Sequence, residues 1–142
     1  MDDSAIRKMQ PVGVIVTDYF PLGLRGVAAV AYVGNEKHNP GEPLHWAEGK
    51  SNDHSSCLVR HLQDAKPGED GWDTIELPDG RVFQVRHAAA AAWRALALAE
   101  IDARSVSGEV IRVVYQQTTP ERSETAADGV LSLMDRDYPR VG

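Results

Sequence analysis

Residues 86–104 read RHAAAAAWRALALAEIDAR. No glycine or proline interrupts the stretch, and alanine is the strongest helix former, so the segment predicts one long helix. Its apolar residues are not confined to one stripe but occur on several sides. A helix of that kind cannot lie on a surface with one face in water, so it has to be central and closely packed by its neighbours. Two short partner helices cannot bury all of it, and neighbouring subunits are expected to cover the remainder.

The rest of the chain is organised around that helix. With 142 residues it is expected to form a single domain, 1–142, with a core over about 25–104 and a C-terminal strand and tail over 105–142. Residues 1–10 read as disordered or frayed. PVGVIVTDYF (11–20) is β-branched and aromatic and predicts an extended segment ended by Pro21-Leu22-Gly23. A first helix is predicted from about Arg25 to Gly34 or slightly past it. Pro40, Gly41 and Pro43 then force a loop carrying His45, Trp46 and Lys50. Asn52 or Asp53 is placed to cap a second helix that ends at Lys66, before Pro67-Gly68. TIEL-PDG-RVFQV (74–85) alternates around a Pro-Asp-Gly turn and predicts a hairpin. GEVIRVVYQQT (108–118) reads as a strand.

Charge and cysteine content narrow the function classes. A formal net charge of −6 argues against a nucleic-acid-binding face, which needs clustered Lys and Arg. Acidic chains that handle phosphorylated ligands generally do so through a divalent cation held by carboxylates. The single cysteine excludes an internal disulfide and fits a reducing, cytoplasmic setting. No signal-peptide pattern is visible, and the most apolar run, GLRGVAAVAYVG (23–34), is short and interrupted by Arg25, so no membrane span is expected.

The second helix carries the chemistry-bearing residue types. His54, Cys57, His61 and Asp64 fall at i, i+3, i+7 and i+10, a stripe roughly 80° wide at about 100° per residue, with Leu58, Leu62 and Ala65 on the adjoining stripe. That pattern is either ordinary amphipathicity or the wall of a site. The downstream acids Glu69 and Asp70 follow a Pro-Gly turn.

The ordered set GNEKH (34–38), HW (45–46), LVRHL (58–62), GED (68–70) and RHAAAAAW (86–93) resembles the N-terminal domain of the phage dATP/dGTP diphosphohydrolases, which are MazG-like enzymes. The resemblance covers about residues 25–102. It implies a mainly α fold, a MazG-like helical bundle, here with an inserted β-hairpin and short extra strands, assembled as a homodimer or homotetramer. It implies a metal-dependent enzyme, with Mg2+ or Mn2+, that hydrolyses a purine deoxynucleoside triphosphate to the monophosphate and pyrophosphate. dGTP is favoured over dATP or GTP, and the role implied in phages is supply of dGMP for 2-aminoadenine nucleotides.

Residue by residue, the resemblance implies that Lys37, Trp46 and Arg60 bind substrate and that His61 and Glu69 are catalytic. His87 matches the first histidine of the third helix, Ala90 stands where a second is often found, and His45 replaces an asparagine. The second helix lacks the E-E-x-x-E run of the broader superfamily. Cleaving an α–β phosphoanhydride needs charge neutralisation and a water aimed at phosphorus. The candidate metal ligands are Glu36, His61, Asp64, Glu69 and His87, and Trp46 suits stacking on a base. Glu36 and His38 would point about 160° apart if the first helix continues through them. Two other readings remain: an HD-type triphosphohydrolase using His61, Asp64 and His87, although no adjacent His-Asp pair exists, and a non-catalytic nucleotide-binding module.

Overall fold

The computed structural model describes residues 2–114. The chain divides between Arg112 and Val113, and the elements below belong to the first unit. In order they are helices α1 (Asp3–Lys8), α2 (Val12–Val14, continued by a π-helical turn over Ile15–Tyr19), α3 (Pro21–His38) and α4 (His54–Asp64), strands β1 (Trp72–Glu76) and β2 (Val82–Arg86), and helix α5 (His87–Ser105). The fold is mainly α with one antiparallel hairpin. No single helix among the described residues is long and apolar enough to cross a membrane.

The alanine-rich helix is central, packing against α3, α4 and β2. Its small side chains let neighbours approach closely. A Cβ added at Gly26 of α3 would stand 3.0 Å from the Ala89 Cβ, tighter than an ordinary contact. The core is accordingly made of small pieces: Ala90, Ala91 and Ala97 of α5 are buried with Val33, Cys57, Leu77 and Val85.

The hairpin is held to α3 by Phe83 edge-on against Tyr32, with ring centroids 6.2 Å apart, and by the Arg81–Glu36 ion pair at 2.5 Å. Its turn closes through Leu77 N–H to the Arg81 carbonyl, 2.8 Å, and needs Gly80 at a φ of +87°. Asp73 pairs with Val85 and Ile75 with Phe83, so these four share the inward face.

Several elements differ from the sequence reading. Residues 3–8 form a helix capped by Asp2, whose carboxylate accepts from Ala5 N–H at 2.7 Å. Residues 12–19 are helical and not extended. Among the described residues no strand lies beside this segment, so its backbone groups bond locally, as Phe20 N–H does to the Ile15 carbonyl. The first helix starts at Pro21, which suits the first helical position, and runs to His38. Asp53 occupies the cap of α4, but its carboxylate serves side chains and not the helix backbone. No strand forms over 108–114, and residues 115–118 with the rest of the tail lie outside the described residues.

Candidate active site

Helices α4 and α5 meet along a line of polar contacts. The inward stripe of α4 is the histidine–cysteine one: His54 and Cys57 are buried and His61 is half-buried, while Val59 and Leu62 face outward. Asp64 ends the helix exposed. The stripe is therefore a wall of the protein interior, short of its last member.

His61 meets His87, the first residue of α5. Their Nδ1 atoms lie 3.1 Å apart and the rings are tilted by 40°. One imidazole must donate and the other accept, so the contact requires at least one neutral ring. Asp73, on the inward face of β1, completes the group, and one ligand atom from each of His61, Asp73 and His87 lies within 4.8 Å of the others. Burial pushes His61 below the ordinary imidazole value. The Asp73 carboxylate opposes that shift, while the His87, Arg94 and Arg60 charges reinforce it.

Two imidazoles and a carboxylate form a donor set for a divalent cation. Two nitrogens about 3 Å apart are also what a pair of ligands at about 2.1 Å subtends when they meet a metal at right angles. The residues present fit such an ion.

His61 and Asp73 also line a cavity of about 1020 Å³ between α3, the loop 44–51, β1 and α5. Lys37, His38, Trp46 and Arg94 are in the same wall. Burial, with the Lys37, Lys50 and Arg94 charges, holds His38 below its usual value, a sign of local positive potential. That volume suffices for a small organic ligand of nucleotide size.

The other sequence candidates are placed as follows. Glu36 is engaged by Arg81 and lies outside the cluster. Glu69 is exposed on the turn Glu69–Gly71, also outside the cluster. Arg60 bonds Asp53 at 3.3 Å and Cys57, and does not line the cavity. Trp46 lines it, but is half-buried, edge-on to Trp93 at 6.3 Å, with the Arg104 guanidinium 5.4 Å over its ring. Asp73 was missed because the hairpin was read from residue 74. Extending the alternation back by one residue puts an acid on the same face as Ile75, which is the signal that would have found it.

The helical scaffold carries an imidazole–carboxylate cluster whose His61 and Asp73 line a nucleotide-sized cavity, and the sequence match gives its class, the nucleoside triphosphate diphosphohydrolases. More narrowly, the dATP/dGTP diphosphohydrolase N-terminal family matches residues 3–109, and the chain belongs to that family. No curated protein and no solved structure matches it.

Proposed function

We propose that the protein hydrolyses a purine deoxynucleoside triphosphate, dGTP by preference, between its α and β phosphates, and that it needs Mn2+ or Mg2+ to do so. The observation that carries this reading is that His61 and Asp73 share one cavity wall with Lys37 and Trp46. The cation would be held by His61, Asp73 and His87, with Asp73 taking the place expected of Glu69. Two imidazoles favour Mn2+ over Mg2+, which prefers oxygen ligands. When bound, the cation supplies charge neutralisation at phosphorus and lowers the pKa of an attacking water.

The chain's own groups supply the remainder. The depressed pKa keeps His61 neutral near pH 7, able to offer a lone pair. Lys37 adds positive charge facing the phosphates. Trp46 gives an aromatic edge for the base, its ring fixed by Trp93 and Arg104. In this reading the protein works as a homodimer or homotetramer. In a phage-infected cytoplasm its dGMP would feed 2-aminoadenine nucleotide synthesis.

Product analysis tests the reading. dGTP, dATP and GTP are each incubated with the protein and Mn2+ or Mg2+. Pyrophosphate with a monophosphate is the expected pair. Release of inorganic tripolyphosphate would point to HD-type chemistry, and nucleotide binding without turnover to a binding module.

A further inference from the structure

The His61–His87 contact has a twin. Seven residues earlier on α4 is His54, and seven residues later on α5 is Arg94, whose Nη1 lies 3.1 Å from His54 Nδ1. Seven residues are close to two turns, so His87 and Arg94 share one face of α5, about 10 Å apart along its axis. Arg94 Nη1 also donates to Ser51 Oγ at 2.9 Å, and the guanidinium carbon stands 5.2 Å over the Trp93 ring.

This second pair is unusual in two respects. Arg60, Arg81, Arg104 and Arg112 each pair with a carboxylate and Arg86 is taken up by two backbone carbonyls, whereas Arg94, the arginine that lines the cavity, is held by Ser51 and His54 through one nitrogen and makes no ion pair among the described residues. His54, 4% exposed, accepts from Arg94 through Nδ1, which leaves the proton on Nε2, and that buried atom has no partner. An unsatisfied buried donor is costly, and its retention requires a reason. The reason on view is that His54 aims Arg94. With Nη1 occupied, Nε and Nη2 make no hydrogen bond among the described residues, and Arg94 lines the cavity that holds Asp73 and His61. A guanidinium edge with two free N–H groups matches two phosphate oxygens.

We infer that Arg94, positioned by His54 and Ser51, is the clamp for the β and γ phosphates of the nucleotide in this cavity. The inference rests on the proposed cleavage reading and deepens it. With the cluster at the scissile end, Arg94 lies two helical turns away, where the departing pyrophosphate would be held. Its guanidinium makes no close ion pair among the described residues, although the Asp53 carboxylate feels its charge. His54 is a positioning residue, since it acts through Arg94.

Calorimetric titration with inorganic tripolyphosphate and, separately, with dGMP tests this without requiring turnover. The wild-type protein binds both. Arg94→Gln weakens tripolyphosphate binding roughly 10- to 100-fold, the loss expected for a charged hydrogen-bond pair, and leaves dGMP binding within about twofold. Arg94→Lys, which keeps charge and bulk but not the fork, recovers only part of the loss and serves if the Gln variant does not fold. His54→Phe lowers tripolyphosphate affinity in the same direction without affecting dGMP, a selectivity that a merely structural histidine would not produce. Tripolyphosphate bound equally by wild-type protein and Arg94→Lys, equal losses for tripolyphosphate and dGMP in a folded variant, or no tripolyphosphate binding by wild-type protein would each overturn the clamp. Failure of dGTP to yield pyrophosphate would instead overturn the cleavage reading, so the two outcomes are distinguishable.

Discussion

His61 and His87 face each other through Nδ1 at 3.1 Å across the α4–α5 contact, though 26 residues separate them in sequence. The pairing converts two isolated histidines into one site, and Asp73 closes it from the hairpin.

A pH dependence follows from that contact. Burial first, then the neighbouring positive groups, lowers the His61 pKa, with Asp73 opposing. The neutral imidazole, the only form with a free lone pair, therefore persists below the ordinary value of about 6.5 and is lost as pH falls through the depressed value. The same sign holds for stability: what the neutral ring contributes is present above the unfolded pKa and disappears on acidification. Mn2+ affinity, followed by electron paramagnetic resonance, should be constant from pH 8 to about 6.5 and fall below that. Equal affinity at pH 7.5 and pH 5 would contradict the assignment.

How much of this was legible in the sequence depended on whether the signal was local. The Ala-rich helix and the Pro-Asp-Gly hairpin were visible because propensity and turn chemistry agree with their packing. Residues 12–19 were misread because β-branched composition predicts a strand only where a partner strand exists. His61 was legible in the stripe on the second helix and again in the resemblance, and His87 in the resemblance, whereas Asp73 was not, since one residue of hairpin register decides its face. Glu36 and Glu69 had the right chemistry for ligands, but Arg81 engages the first and the turn before β1 leaves the second exposed.

The loop before β1 is pinned by Arg86, which donates to the Lys66 and Gly68 carbonyls at 2.7 and 2.6 Å and lies 4.7 Å over Trp72. Gly71 is buried beneath it, and an added Cβ would collide with the Lys66 carbonyl oxygen and the Arg86 guanidinium. Gly71→Ala should cost about 1–3 kcal/mol in urea unfolding. An unchanged midpoint would show that the loop yields freely.

Asp53 accepts from Ser51, Cys57 and Arg60, and these bonds hold its carboxyl at about 2, below the usual carboxylate range. A depressed carboxyl contributes stability above its unfolded pKa that is lost as pH falls through the folded one. The carboxylate is open to solvent, so the effect is small. Asp53→Asn should melt slightly below wild type at pH 6, with the gap closing between pH 4 and 2. A gap independent of pH would assign the loss to something other than the charge.

Trp46 is wedged against Trp93 and His54. Trp46→Ala should therefore lower stability by about 1–3 kcal/mol as well as weaken dGTP binding, and Trp46→Phe should restore most of the stability. Weakened binding at an unaltered melting temperature would return Trp46 to a purely loop-borne role.

Large apolar side chains remain uncovered: Phe20 is 59% exposed, Leu22 75%, Leu62 58% and Leu96 50%. Among the described residues they lie on the N-terminal segment and on all three long helices, where a neighbouring subunit could cover them. Sedimentation should report a dimer or larger species at micromolar concentration, and a monomer there would count against subunits covering these faces.

The most direct measurement is pyrophosphate release from dGTP at limiting Mn2+ by wild-type protein and by Asp73→Asn, with far-UV dichroism to establish that both are folded. Asp73 is the member of the cluster that the hairpin supplies, and its charge is the one that the proposed cation would need. The substitution should remove most of the turnover at limiting Mn2+ and regain part of it in excess Mn2+. Near-wild-type turnover at limiting Mn2+ would contradict a catalytic site built on His61, Asp73 and His87.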